Sequence, residues 1–138
     1  MTFTISRDSV CAGDDVFDHQ QTIELPENAT AKDLFKALKK NHFFPKIAGN
    51  NVVWALTNRT HPFWIFSYFT RHEKLFQSDP SLCLSFLDDG SGLFHLKYYA
   101  TPAKWKERII QEYGKDNFSR WKDGWDHEIQ YCDQLSRR

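Results

Sequence analysis

The chain has 138 residues, enough for one domain, and 41% hydrophobic with 16% aromatic content excludes a disordered polypeptide. Eighteen basic and eighteen acidic residues cancel, so no overall field draws the molecule to nucleic acid or to an anionic membrane. Three widely spaced cysteines, Cys11, Cys83 and Cys132, form no CxxC pair and fit a reducing cytoplasm rather than a disulfide scaffold.

In chain order, TFTIS (2–6) alternates Thr or Ser with Phe and Ile and predicts a short strand. An acidic, Gly-containing loop follows, and QTIELP (21–26) predicts a second strand closed by Pro26. ENATAKDLFKALKKNHFF carries a helix, with Thr30 as N-cap and Asp33 in the first turn. Leu34 and Leu38, with Phe35 or Ala37, form its inner stripe. NNVVWALTN (50–58) predicts a return strand, and HPFWIFSYF (61–69) a strand that is apolar on both faces and so central. SLCLSFLDD and GLFHLKYYA then suggest a hairpin around DDGSG. In its second arm Phe94, Leu96 and Tyr98 share one face, and Leu93, His95, Lys97 and Tyr99 the other.

TPAKWKERIIQEYG (101–114) has Thr101 as N-cap, Pro102 at the first helical position and Gly114 as its stop. Trp105, Ile109, Ile110 and Tyr113 make its buried stripe. The tail repeats Phe118, Trp121, Trp125, Ile129, Cys132 and Leu135 at helical spacing, with a bend expected at Gly124. The expected fold is therefore α+β: a single domain over 1–138 with a largely antiparallel sheet of about six strands and helices mainly on one face. MTFTISRDSV lacks a basic segment followed by an apolar core, so no secretory leader is expected. Nor does any apolar run reach the ~20 residues that span a bilayer.

No catalytic or metal-binding signature assembles. There is no HExxH, no paired CxxC and no phosphate loop, and His127 and Cys132 are badly spaced for ligands on one helix. Cys83 and His95 are positioned to meet across the expected hairpin, which keeps a Cys–His pair open as one alternative. A small buried thiol beside a partly exposed imidazole on the mixed face of a sheet is the favoured explanation of the two. No cofactor and no catalytic residue are expected.

The segment QTIELPENATAKDLFKALKKNHFFPKIAGNNVVWALTN gives strand, helix and return strand in short order. Set in a small aromatic-rich α+β chain, it resembles the immunity proteins encoded beside bacterial polymorphic toxins, including contact-dependent growth inhibition systems. That resemblance implies a cytoplasmic, cofactor-free protein that binds one cognate toxin domain and blocks its active site. Many nuclease-blocking members are strongly acidic, and this neutral chain departs from them.

Charge is nevertheless uneven along the chain. Residues 1–33 hold seven acids against two bases, and 34–77 seven bases against one acid. On this basis Asp14, Asp15, Asp18, Asp88, Asp89, Asp123 and Asp126 are the expected contacts with a basic partner. Trp64, Tyr68, Trp121 and Trp125 are the expected apolar anchors. The nearby acids oppose direct nucleic-acid binding by FSRWKDGWD. Two alternatives remain: a small-ligand domain or enzyme with an aromatic-lined pocket, and a homo-oligomer that pairs its second sheet face.

Overall fold

The structure, a computed structural model, describes residues 1–9, 19–45, 52–60, 66–70, 74–76 and 83–116. Its elements are β1 (Thr2–Arg7), β2 (Gln20–Glu24), α1 (Ala31–Lys40), β3 (Val53–Thr57), β4 (Phe66–Phe69), β5 (Lys74–Phe76), α2 (Leu84–Leu87), β6 (Leu93–Tyr99) and α3 (Pro102–Tyr113). The strands form one six-stranded sheet in the order β2-β1-β6-β3-β4-β5. The β1–β6 pair is parallel and the other four pairs are antiparallel. The fold is α+β with a mostly antiparallel sheet, as the sequence pattern indicates.

Pairing register assigns the two faces. One face carries Ile23, Phe3, Ile5, Phe94, Leu96, Tyr98, Trp54, Leu56 and Tyr68. Helix α1 lays Ala31, Leu34, Phe35 and Leu38 into the same buried cluster, α2 adds Leu84 and Leu87, and Phe43 joins from the turn after α1. A capping box starts α1: the Thr30 side chain accepts from the Asp33 amide, and the Asp33 carboxylate accepts from the Thr30 amide. Lys39 and Lys40 end it where cations suit the helix dipole.

The opposite face carries Val53, Ala55 and Thr57 on β3, Ser67 and Phe69 on β4, and His95, Lys97 and Tyr99 on β6. Helix α3 covers part of it: Trp105 meets Phe69 edge-on at 5.1 Å, and Trp105 and Ile109 are both buried. Two of the three described helices therefore share one face, and the third takes the other. Its start is the expected one, with the Thr101 hydroxyl accepting from the Lys104 amide and Pro102 in the first turn.

One expected element is overturned. Residues 84–87 of the supposed hairpin arm form the single helical turn α2. Leu84 and Leu87 are the buried pair, and an i, i+3 pair shares a face in a helix but not in a strand. The Leu84 amide donates to the Ala29 carbonyl at 2.8 Å, fixing the turn against the entry to α1. β6 consequently pairs with β1 and β3, and the sixth strand is β5, which the sequence pattern does not announce. The expected helix through Trp121 and Trp125 lies outside the described residues. Among the described residues no helix is long and apolar enough to cross a membrane.

If α3 is the cover of the second face, Trp105→Ala costs about 3–5 kcal/mol in urea unfolding. A loss below about 1 kcal/mol contradicts that assignment.

Candidate functional site

The polar half of the second face contains an open cleft of ≈ 350 Å³ whose lining includes Ser6, Thr57, Arg59, Ser91, His95 and Lys97. Parallel pairing sets Ser6 of β1 opposite His95 of β6. The Ser6 hydroxyl lies 2.7 Å from His95 Nδ1, and His95 Nε2 lies 2.7 Å from Asp8 Oδ1. The second Asp8 oxygen accepts the Tyr98 amide at 2.9 Å. Burial pushes the Asp8 carboxyl upward. The bonds from His95 and the Tyr98 amide, with the His95 and Lys97 charges, outweigh it and hold the group below its ordinary value. An ionised Asp8 only accepts, so His95 Nε2 donates to it; when the ring is neutral, its Nδ1 accepts the Ser6 hydroxyl proton.

A rigid turn forms one wall. Asp88 Oδ1 accepts the Gly92 amide at 2.9 Å, and Asp89 Oδ1 accepts both the Ser91 amide at 3.0 Å and the Ser91 hydroxyl. The other Asp89 oxygen accepts the amide and Nε of Arg59, each at 3.3 Å. The Ser91 contacts, then Arg59, pull the Asp89 carboxyl down to about 2. Gly92 has φ +69° and a Cβ there would lie 3.1 Å from the Thr2 carbonyl oxygen, so backbone strain and a tight contact both disfavour a side chain. The Gly92 carbonyl in turn accepts the Thr4 amide at 2.8 Å, tying the turn to β1.

Of the expected contact residues, Asp88 and Asp89 build this wall. Asp89 engages both carboxylate oxygens within the chain. Tyr68 lies on the opposite face, packed on Phe35 at 4.8 Å and Phe44 at 5.8 Å, where burial raises its hydroxyl pKa. Asp14, Asp15, Asp18, Trp64, Trp121, Asp123, Trp125 and Asp126 lie outside the described residues. The Cys83–His95 pair does not form. Cys83 precedes α2 and donates to the Asn28 carbonyl at 3.5 Å, while His95 belongs to the cleft. The sequence pattern missed Asp8, Ser6, Arg59 and Leu93. Their sole signal is that Ser6 and His95 each fall on the polar side of an alternating strand.

Among the described residues, Met1, Phe86 and Leu93 are the large hydrophobic side chains left exposed. Phe86 is 77% exposed on α2 and Leu93, which lines the cleft, is 53% exposed, so the two bracket the rigid turn. No group of three or more metal-ligating side chains is assembled among the described residues. No protein-family model, characterised protein or solved structure matches the chain.

Because its folded pKa is depressed, Asp8 contributes stability above its unfolded value of about 3.9 and loses it as pH falls through the folded value. Its side chain is 42% exposed, so after solvent screening the effect is at most about 1 kcal/mol. In unfolding curves recorded from pH 6 downward, Asp8→Asn is therefore expected to lose less stability below pH ~4 than the parent. Parallel acid limbs contradict the clasp.

Proposed function

We propose that the chain is a specific protein-binding inhibitor, an immunity protein that neutralises one cognate bacterial toxin in the cytoplasm by covering its active site. The observation that carries this reading is the exposure of Phe86 and Leu93 on either side of a turn that its own hydrogen bonds hold rigid. An aromatic and an aliphatic side chain held in place beside a polar cleft have the make-up of an interface anchor with a polar rim. Preorganisation lowers the ordering cost that association otherwise incurs. The complex is expected to be one to one, with neither cofactor nor direct nucleic-acid contact, and a nuclease is the first toxin class to test.

Co-expression with the product of the adjacent gene provides the test. The inhibitor should restore growth and form a complex that Phe86→Asp weakens at least about tenfold, one desolvated aromatic anchor being worth about 2 kcal/mol or more. A neighbouring product that neither affects growth nor binds contradicts the proposal.

A second reading, a serine hydrolase, is favoured by the Ser6–His95–Asp8 series, since such triads are recognised by geometry. The backbone around Ser6 opposes it. The Thr4 and Asp8 amides donate to the Gly92 and Leu96 carbonyls, so the two-residue step of the parallel ladder commits the Ser6 amide to Phe94. The Arg7 amide donates to the His19 carbonyl at 3.1 Å. Neither the serine nor the residue after it offers an N–H to a developing oxyanion. A fluorophosphonate probe is accordingly expected to leave Ser6 unlabelled; stoichiometric phosphonylation at Ser6 would establish the hydrolase instead.

A further inference from the structure

The cleft has a definite hydrogen-bonding polarity. With the His95 ring neutral, the cleft's hydroxyl protons are already spent: Ser6 donates to His95 Nδ1, Thr57 to the His95 carbonyl at 2.9 Å, and Ser91 to Asp89. Each oxygen retains acceptor capacity, so these three hydroxyls receive protons and give none. Both ring nitrogens of His95 are engaged. Donors sit at the rim. Arg59 uses its amide and Nε on Asp89, and among the described residues nothing bonds its two terminal nitrogens. Its side chain is 81% exposed, and Asp89 fixes the direction in which the fork opens. Lys97 also lines the cleft, and its charge acts on Asp8.

A simple cation is disfavoured by Arg59, and a simple oxyanion finds no free hydroxyl proton on Ser6, Thr57 or Ser91. The complementary ligand carries an anion and N–H or O–H donors a few bonds apart. An acidic residue on a peptide backbone has that form, with a carboxylate for the guanidinium fork and amide protons for the hydroxyl oxygens. An open cleft of ≈ 350 Å³ is near the lower limit of ligand pockets, a size suited to one side chain and its backbone. Leu93, one of the two exposed apolar anchors, lines the same cleft.

We propose that this cleft is the receptor for an acidic side chain, Asp or Glu, of the partner protein. The terminal nitrogens of Arg59 take its carboxylate, and the Ser6 and Thr57 oxygens take donors of the adjoining backbone. The proposal rests on the protein-binding reading and specifies the partner's chemistry at that surface. It also reverses the polarity expected from the acids of the turn: Asp89 orients a cation toward the partner and does not itself meet a basic one.

The test uses the full chain alone, labelled with nitrogen-15 and titrated with N-acetylglutamate α-amide, N-acetylglutamine α-amide and inorganic phosphate. The glutamate probe should give saturable shifts at Arg59 Nε and at the Ser91, Leu93 and His95 amides. Its affinity should fall at least about tenfold in Arg59→Gln, the loss of one charge-assisted pair. Arg59→Lys, which keeps charge without the fork, should fall between. Because the Arg59 side chain is exposed and its pair with Asp89 is a surface one, Arg59→Gln should shift the melting temperature little, which separates lost binding from lost folding.

The glutamine probe should not saturate, and phosphate should bind more weakly than the glutamate probe. Equal binding of both amino-acid probes, stronger binding of phosphate, indifference to Arg59→Gln, or no shift up to the solubility limit each overturns the proposal. The two readings fail separately. A toxin complex whose affinity ignores Arg59→Gln sinks the cleft assignment alone. Saturable glutamate binding with no toxin partner sinks the inhibitor assignment alone.

Discussion

The insertion of β6 between β1 and β3 is the pairing on which the rest of the structure depends. It joins the amino-terminal strand to a strand that begins at residue 93, in parallel on one side and antiparallel on the other. Through it Phe94 and Leu96 enter the main core while His95 and Lys97 face the opposite side. The same pairing brings together Asp8 and His95, which are 87 residues apart, and sets Ser6 beside them. Slipping β6 by one residue would exchange its two faces, burying Lys97 and exposing Leu96. Core and cleft are thus one consequence of a single register.

The sheet is occupied on both sides, but unequally. α1 and α2 cover one face with aliphatic and aromatic side chains, and Arg7 braces the turn after α1 by donating from Nε to the Phe43 carbonyl at 2.9 Å. α3 covers the opposite face near β4, where Trp105 lies on Phe69. The polar residues of β1 and β6 line the cleft beyond it. This division explains how an apolar central sheet coexists with a hydrophilic cleft on the same strands.

What the sequence makes legible is local. The capping box at Thr30 and Asp33, Thr101 with Pro102, and the alternation through β6 are contained in short windows, and the structure contains all three. The turn at 88–92 was legible as a turn for the same reason, because Asp and Gly act there through neighbouring amides. α2 was not. Its residues alternate as a strand does over Leu84, Ser85 and Phe86, and the bond from the Leu84 amide to Ala29 that makes it helical is a long-range contact. The clasp of Asp8, His95 and Ser6 was invisible for a stronger reason: no periodicity announces two residues that meet only once a parallel ladder has formed. Asp89 was legible as a turn carboxylate, but its pairing with Arg59, 30 positions away, was not.

Hydrogen exchange of the chain, free and saturated with the proposed toxin partner, tests the account most directly. The account predicts new protection concentrated at residue 59 and across residues 86 to 97, the span that contains the turn, both exposed anchors and the cleft wall. Protection confined to α1 or α3, with amides 86 to 97 exchanging as they do in the free chain, would contradict it.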